Sequence, residues 1–380
     1  MPVAIVRFVA KRLLNNRALI SATAFGLLVT VTLVTSVPLY AEGISGLLLQ
    51  RELRKPITKV QPASSVFIRH RESDPEAPTS AADYRAYDRF FRDLIPDAVG
   101  LPTTQLQSYM STGRQGLLDI TDRENVDLGA SPRRFGYAYL FSVNDFFDNV
   151  NLVEGRRPSA QVDTFLGRAG ASMPLLEGVM SGTALDRMGM LVGDVVGVEF
   201  PDTATGDSVV VAMRIVGRVV PLDARSNYWI YPPRGALDEG GIYMERAAYL
   251  DGLLNEAPTA FSEASWYADF DIDSIRASNY RRITGGLVTI RINANAIWEN
   301  TRLEGSPESI FFDFEQKLFF LTLLLLILSA PIVAIALYYI VLASGMVVDR
   351  QRTEIAILKS RGVSTVQVMG IYLLEGLLIG

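Results

Sequence analysis

The longest charge-free stretch of the sequence is residues 318–348, which read LFFLTLLLLILSAPIVAIALYYIVLASGMVV. A helix of about 20 apolar residues already crosses the hydrocarbon core of a bilayer, which is roughly 30 Å thick. The stretch therefore predicts a membrane-spanning helix over residues 318–345, long enough to tilt or to extend beyond the bilayer. Pro331 lies inside it and is expected to kink the helix, because its ring removes one backbone hydrogen bond.

A second apolar stretch, Ala18–Tyr40, contains no charged residue. At about 1.5 Å per residue it makes a helix of roughly 34 Å, which predicts a first span over residues 18–40. A cleaved signal peptide is the alternative, although Leu39-Tyr40-Ala41 matches a small-x-small cleavage site poorly. Residues 1–17 combine apolar and basic side chains, and we expect them to form an amphipathic segment at the cytoplasmic interface.

Basic residues flank both apolar stretches. They have no acidic companion before the first stretch, and they outnumber the acidic residues after the second. They are Arg7, Lys11, Arg12 and Arg17 before the first, and Arg350, Arg352, Lys359 and Arg361 after the second. Because cytoplasmic flanks carry an excess of Lys and Arg, we expect both flanks inside and residues 41–317 outside. Arg51, Arg54 and Lys55 weaken this assignment slightly.

The composition excludes several kinds of catalytic chemistry. The chain has no cysteine, which excludes disulfides and thiolate nucleophiles, and its one histidine, His70, lies between Arg69 and Arg71. No glycine loop ending in Gly-Lys-Ser/Thr is present, and a net charge of −5 argues against nucleic-acid binding. We therefore expect no enzyme activity, cofactor or metal site in this chain, and we expect His70 to lie in a solvated loop.

Two features are candidate binding sites with plainer alternatives. Asp269, Asp271 and Asp273 alternate along a predicted strand and carry oxygens suited to calcium, but no loop glycine or distal Glu accompanies them. We expect a solvated acidic edge there. The aromatic clusters Tyr228-Trp229 and Trp266-Tyr267 are rich enough for a binding patch, but we expect them to pack in a core.

The sequence between the apolar stretches predicts an α+β domain, with a small barrel or sandwich and a helix-bearing lobe. The helices are predicted from turn residues and composition, and the strands from alternating apolar and polar residues. The predicted helices are Thr79–Leu94, ended by Pro96, and Gly182–Met188; the predicted strands are Ser65–Arg69, Gln105–Met110, Ser208–Val219 and Val288–Ile292.

Two further helices are predicted where this domain meets the spans. Ile44–Lys55 looks helical up to Pro56, and Ser306-Pro307-Glu308 begins a helix with a capping Ser, Pro at the first position and an acid near the positive dipole end. Either they are ordinary linkers, or they form a stiff stalk that couples motion of the domain to the membrane.

A helix over residues 346–363 is predicted to follow the second span. Ile355 and Leu358 are three residues apart and share a face, and Gly362 is placed to end the helix. A new apolar run, Val366–Gly380, begins immediately. We expect residues 364–380 to start a third span, and the chain to be the first part of a longer polypeptide.

The same region carries a family resemblance. Residues 350–364 read RQRTEIAILKSRGVS, and Gln367-Val368 and the sequence LLEG at residues 373–376 follow. This pattern of basic residues, Glu-Ile-Ala-x-Leu, a basic residue, Gly, an apolar residue and Ser resembles the signature of FtsX-like ABC transporter permeases. The pair Ser360-Arg361 departs from the Ala-Leu-like pair that is common there.

Three shorter segments, residues 152–158, 179–198 and 215–219, resemble the MacB-like extracytoplasmic core domain of that family. The resemblance implies a transmembrane permease subunit in the bacterial cytoplasmic (inner) membrane, with several spans and residues 41–317 outside. It implies a separate ABC ATPase subunit that uses ATP, and a second permease copy or second permease half. The implied role is to couple ATP hydrolysis to export, lipoprotein extraction or extracytoplasmic mechanotransmission.

The helix after the second span is the expected ATPase contact, because it is the cytoplasmic segment joined stiffly to a span. Ile355 and Leu358 would fill an apolar groove, and rim charges would set the register. A helix that lies on the membrane surface is the alternative. The expected contact residues are Arg350, Arg352, Glu354, Ile355, Leu358, Lys359, Arg361 and Gly362.

Two other classes of protein have a domain between two spans. A sensor with an extracytoplasmic ligand-binding domain should continue from its second span into a signalling helix and a soluble domain. A regulator of polysaccharide chain length should end shortly after its second span. Neither expectation fits the apolar run that begins at Val366.

Overall fold

The computed structural model describes residues 17–58, 61–74, 76–121, 134–166, 172–201, 208–230, 237–360 and 362–370. The predicted interfacial segment and most of the predicted third span lie outside these ranges. The chain divides into two compact units. We call residues 50–312 the sheet unit, and residues 1–49 together with 313–380 the helical unit.

The helices and strands are numbered in chain order. The helices are α1 (Arg17–Leu53), α2 (Ala81–Val99), α3 (Gly182–Met188), α4 (Tyr280–Ile297) and α5 (Glu308–Ser360). The strands are β1 (Ser65–Arg71), β2 (Thr103–Thr112), β3 (Gln115–Asp119), β4 (Arg134–Val143), β5 (Val150–Gly155), β6 (Asp163–Leu166), β7 (Ser172–Ser181), β8 (Val195–Pro201), β9 (Ser208–Pro221), β10 (Gly241–Tyr243), β11 (Phe261–Phe270) and β12 (Thr301–Gly305). A π-helical turn covers Ala248–Leu253.

Hydroxyl groups in α1 and α5 bond to their own helices. Thr32 donates to the carbonyl oxygen of Leu28 at 2.7 Å, and Thr322 donates to that of Leu318 at 2.8 Å. Such bonds satisfy a polar group inside an otherwise apolar helix. At Gly26 an added β-carbon would lie 2.9 Å from Cε1 of Tyr339, so the absence of a side chain on α1 leaves room for this ring of α5.

Within the described residues, one helical segment is long and apolar enough to cross a membrane. It is Glu308–Leu342 of α5, with a mean hydropathy of 2.8 over its most apolar window and none of that window buried. This agrees with the predicted span over residues 318–345. Residues 18–40 are helical within α1, but a membrane crossing there, and hence a multi-pass topology, stays a prediction.

The predicted stalk helices are confirmed as helices, with small changes at their ends. The Ile44–Lys55 segment is the last part of α1, which ends at Leu53, and the helix predicted from Pro307 is the first part of α5. Both are continuous with the apolar stretches predicted to be spans. Their role in coupling motion stays a prediction.

The strands of the sheet unit belong to one mixed sheet, part of which closes on itself. From β4 the pairing runs through β3, β8, β9, β7 and β10, and β10 pairs in parallel with β4 again. We call this ring of six strands the barrel. Strand β5 adds to β9 and β6 adds to β7. The predicted α+β domain is confirmed as a mixed sheet with helices, whereas its insertion between two spans is not tested.

The other strands carry the helices. Strands β2, β11, β1 and β12 extend the sheet from β4 by antiparallel pairing, and α2 and α4 pack together beside them. We call these four strands with α2 and α4 the helix-bearing lobe. Its core includes Phe91 and Ile95 of α2 and Leu287 of α4, all fully buried.

The predicted strand Val288–Ile292 is wrong, because these residues lie in the middle of α4. The short window alternates by chance, whereas Ile283, Leu287, Ile290 and Ala294 repeat at helical spacing and are buried. Burial of that face decides the structure. The other four predicted strand or helix segments within β1, β2, β9 and α3 are confirmed.

The predicted end of α2 at Pro96 is also wrong, because the helix continues through Pro96 to Val99. Gly100 ends it in the left-handed conformation, with φ of 63°, and its N–H donates to the carbonyl oxygen of Pro96 at 2.7 Å. Ile95 and Val99 are both buried, so packing of the last turn offsets the hydrogen bond that proline removes.

His70 is a core residue, which corrects the expected solvated loop. It is 2% exposed in β1, its ring stacks on Trp298 with centroids 3.5 Å apart, and Nδ1 lies 3.1 Å from the Thr301 hydroxyl. Burial lowers the pKa of His70 to about 4. Alternation along β1 separates His70 from the charged side chains of Arg69 and Arg71, which the sequence places beside it.

The prediction of a solvated acidic edge is also partly wrong. Asp269 is 9% exposed and accepts a hydrogen bond from the Ser64 hydroxyl at 2.6 Å. Strand β11 ends at Phe270, so Asp271 and Asp273 do not continue its face, and Asp271 instead accepts from the N–H of Asp273 at 3.1 Å. These acids organise local backbone rather than form an open carboxylate row.

Candidate functional site

The predicted ATPase contact lies in the last part of α5. This helix runs without interruption from Glu308 to Ser360, so the boundary predicted between the span and the contact helix at residues 345–346 is not marked by a helix break. A continuous hydrogen-bonded helix is stiff along its axis. The candidate span and the predicted contact segment thus belong to one helix.

The helix ends where the sequence predicts. Gly362 adopts φ of 84°, a left-handed conformation that glycine enters without a steric penalty, and its N–H donates to the carbonyl oxygen of Lys359 at 3.0 Å. The hydroxyl of Ser360 donates to the carbonyl oxygen of Ile357 at 2.8 Å. These bonds satisfy part of the backbone that the end of a helix leaves unpaired.

A new helical segment begins directly after this turn. Ser364 accepts from the N–H of Gln367 at 3.4 Å, and the Gln367 side chain accepts from the N–H of Ser364 at 3.1 Å. This reciprocal pair is a capping box, which fixes the start of the helix that follows over residues 365–370. The segment therefore combines a long helix, a short turn and a second helix.

The structure places the predicted contact residues unevenly. Arg352 is exposed, and its Nη1 lies 3.5 Å from Oδ1 of Asp349. An ion pair on the surface such as this adds little stability. Lys359 is exposed and Ile355 is half-buried. The backbones of Arg350, Glu354 and Leu358 lie in α5, but their side chains, and the whole of Arg361, lie outside the described part of the chain. The proposed pairing of Ile355 with Leu358 stays a prediction.

Ile357 is an exposed apolar residue of this segment that the sequence reasoning did not use. It is 51% exposed and lies two residues from Ile355, which places it across the helix. Helical spacing alone places Ile355 and Ile357 on different faces of the helix. Nothing in the sequence indicates which of these apolar side chains is exposed.

Among the described residues, no group of three His, Asp or Glu side chains has the spacing to hold a metal ion. The aromatic clusters pack inside, as predicted: Tyr228, Trp229 and Tyr267 belong to one buried apolar cluster, and Trp266 is fully buried.

Comparisons with known proteins add little. No protein-family model matches the chain, and no curated protein matches its sequence. Among solved structures, the chain is similar to the periplasmic region of MacB from Actinobacillus actinomycetemcomitans, at 10% identity and a TM-score of 0.32. The alignment covers 66% of this chain and 92% of that one. A TM-score this low does not establish a common fold.

Proposed function

We propose that the chain is the transmembrane permease subunit of an ABC transporter, and that it transmits work from a separate ATPase. The observation that supports this most directly is α5, one continuous helix from Glu308 to Ser360 that contains the candidate membrane span and ends in the predicted contact segment. These residues include no phosphate-binding glycine loop, which supports a separate ATPase as the source of the work.

The proposed mechanism is mechanical. ATP-driven movement of the partner displaces the end of α5 near Lys359 and Gly362, and the helix carries that displacement through the bilayer toward Glu308. The outcome is export, lipoprotein extraction or mechanotransmission outside the cytoplasm, with residues 41–317 as the external domain. A second permease copy or permease half completes the assembly in the bacterial cytoplasmic membrane.

The contact itself is proposed to combine an apolar centre with a charged rim. Ile355 and Leu358 enter a groove on the ATPase, while Arg350, Arg352, Glu354, Lys359 and Arg361 set the register. Rim charges affect specificity and association rate more than affinity. The affinity should therefore depend chiefly on the two apolar residues.

A sensor with an external ligand domain is the competing proposal. Signalling helices of such proteins are expected to continue from the span into the cytoplasm. Here the chain turns at Gly362, and the capping box of Ser364 and Gln367 starts another helix within three residues. This turn favours a permease.

The test is co-purification of the full chain with an ATP-hydrolysing partner from membranes of the source organism. Replacing Ile355 and Leu358 together with Asp places two charges at an apolar contact, which costs several kcal/mol when buried. We expect the captured ATPase activity to disappear while the permease still inserts.

Ile357→Asp is the control, because it adds one Asp to the same turn of α5 but across the helix from Ile355. It should keep the captured ATPase activity. Retention of that activity by the double variant would eliminate this helix as the contact, and equal loss in both variants would point to general disruption instead.

A further inference from the structure

An open cleft of about 530 Å³ lies in the sheet unit, between α2 and the segment at the start of the π-helical turn. One wall is α2, which contributes Arg85, Asp88, Arg89 and Arg92. The other wall is Arg246, Ala247 and Leu250, at the start of the π-helical turn. Volumes of roughly 300–1,000 Å³ are typical of sites for small molecules.

The cleft has more positive than negative charge. Arg85 bonds to both oxygens of Asp251, at 2.6 and 2.7 Å. Arg92 and Arg246 share the Asp88 carboxylate, at 3.0 and 2.8 Å. Arg89 is exposed and makes no hydrogen bond or ion pair with any residue that the structure describes. Four guanidinium groups thus face two carboxylates.

Asp88 holds two of these arginines in place. Its side chain is 14% exposed, and it also accepts a hydrogen bond from the Trp266 indole N–H at 2.9 Å. Burial alone would raise the pKa of Asp88, but the Arg246 and Arg92 guanidinium groups hold it below its usual range. The ionised carboxylate therefore fixes both arginines before any ligand arrives, which lowers the entropy cost of binding.

Donor groups remain available on these arginines. A guanidinium has five N–H donors, whereas Arg92 uses Nε for Asp88 and Nη2 for Ser108, and Arg85 uses Nη2 for Asp251. The Arg85 side chain is 47% exposed, so its other donors reach solvent. Forked donors of this kind match the oxygens of phosphate and carboxylate.

The wall opposite α2 gives the cleft an apolar part. Ala247 is exposed, carries no polar side-chain atom and lies beside the guanidinium groups in the same cleft, whereas Leu250 behind it is only 2% exposed. We propose that this cleft binds a small molecule whose phosphate or carboxylate group engages Arg89 and its neighbours, and whose short apolar chain packs on Ala247 and on the methylene groups of the arginines. Nothing in this inference depends on the proposed permease function.

The test uses the full chain in nanodiscs of a zwitterionic lipid, with propyl phosphate as the probe and calorimetric titration as the readout. Propyl phosphate should bind about tenfold or more tightly than inorganic phosphate, because each buried methylene contributes about fourfold in affinity. Propylammonium, which has the opposite charge, should not bind. Equal affinity for propyl phosphate and inorganic phosphate would overturn the apolar part of the site.

Arg89→Gln removes the unpaired guanidinium without breaking an ion pair to a described residue. It should weaken propyl phosphate binding by roughly tenfold, the usual effect of losing a charge-assisted hydrogen bond. Arg276→Gln changes an exposed arginine outside the cleft and should leave the affinity unchanged. Equal affinities in both variants, or equal losses, would overturn the proposal.

Repeating the titration in nanodiscs with an anionic phospholipid distinguishes the natural source of the phosphate group. Loss of propyl phosphate binding there indicates a lipid headgroup that occupies the cleft, and unchanged binding indicates a soluble anion. Both results support the site, provided that Arg89→Gln weakens binding in the zwitterionic nanodiscs.

Discussion

In the sheet unit Phe91, Ile95 and Leu287 are fully buried, whereas in the helical unit Leu324 and Ile335 are 67% and 69% exposed. Burial of apolar surface stabilises a fold by about 25 cal/mol per Å², and the sheet unit obtains that stabilisation from its own chain. The exposed apolar side chains of the predicted span are expected to obtain it from lipid or from other helices. Apolar side chains therefore stabilise internal packing in the sheet unit. In the predicted span, similar side chains are expected to favour contact with lipid.

The largest effect is expected from charges in the predicted span. Replacing Leu324 and Leu328 together with Arg should prevent insertion, because each Arg near the centre of a span costs about 2.5–3.5 kcal/mol. The chain has no cysteine, so Ser360→Cys can be labelled selectively. In intact cells, an impermeant thiol reagent should label Ser360→Cys when both Arg substitutions are present. It should not label Ser360→Cys when Leu324 and Leu328 are unchanged.

The control places Arg at Leu47 and Leu222, which are exposed but lie outside both predicted spans. Ser360→Cys should then stay protected, while Ser73→Cys, in the domain predicted to be external, should be labelled in every variant. If Ser360→Cys is labelled without any Arg substitution, the predicted topology fails, and so does the assignment of lipid as the solvent of α5.

A smaller effect is expected from a cavity in the sheet unit. Phe91→Ala should lower its free energy of unfolding by about 3–5 kcal/mol, because the removed ring leaves a space that the packed helices fill only in part. All three tryptophans, Trp229, Trp266 and Trp298, lie in the sheet unit, so their fluorescence during chemical denaturation measures its stability. Leu222→Ala, at an exposed site, should change that stability by less than about 0.5 kcal/mol.

The sequence predicts best those features that depend on neighbouring residues. The apolar helices, the glycine turn at Gly362 and the short helix Gly182–Met188, capped by Ser181 and Gly189, all follow from local patterns. The pairing of β10 with β4 does not, because it joins residues about a hundred positions apart. The pattern within each strand therefore does not predict that the barrel closes.

The same distinction applies to the sites. Gly362 is predicted from its position after a helix, whereas the arginine cleft joins Arg89 of α2 to Arg246, which no local motif connects. The expectation for His70 is wrong because Arg69 and Arg71 share one face of β1 and His70 lies on the other, a face that becomes buried only in the folded sheet unit.

Two adjacent glycines of α4 test how closely α4 packs against α2. A β-carbon at Gly286 would collide with the carbonyl oxygen of Ala98 in α2, whereas one at Gly285 would meet nothing within 4 Å. Gly286→Ala should therefore destabilise the sheet unit by about 1–3 kcal/mol through overpacking. Gly285→Ala should instead stabilise it by about 0.5–1 kcal/mol, because alanine is the better helix former.

Denaturation followed by tryptophan fluorescence measures both variants. Opposite signs at the two positions would establish that α2 and α4 are in backbone contact. Equal and favourable effects would mean that the helices can separate at no cost, which contradicts close internal packing as the determinant of this unit.

A further effect, of about the size of a single glycine substitution, is expected from protonation of His70 in the same unit. Its pKa is lowered to about 4 by burial, whereas an unfolded histidine titrates near pH 6.5. Below pH 6.5 the unfolded chain therefore binds a proton that the folded chain does not, and the free energy of unfolding falls until the pH approaches 4. Between pH 7.5 and 5.5 the loss should be about 1 kcal/mol.

His70 is the one histidine of the chain, so this pH window isolates its contribution from those of the carboxylates, which titrate lower. His70→Gln should make the stability of the sheet unit nearly independent of pH across the window. In the native chain, the single histidine resonance measured by NMR should still be neutral at pH 5.5. A resonance that titrates near pH 6.5 would mean that water reaches the ring between Trp298 and Thr301, so the sheet unit would not exclude solvent from its core at this point.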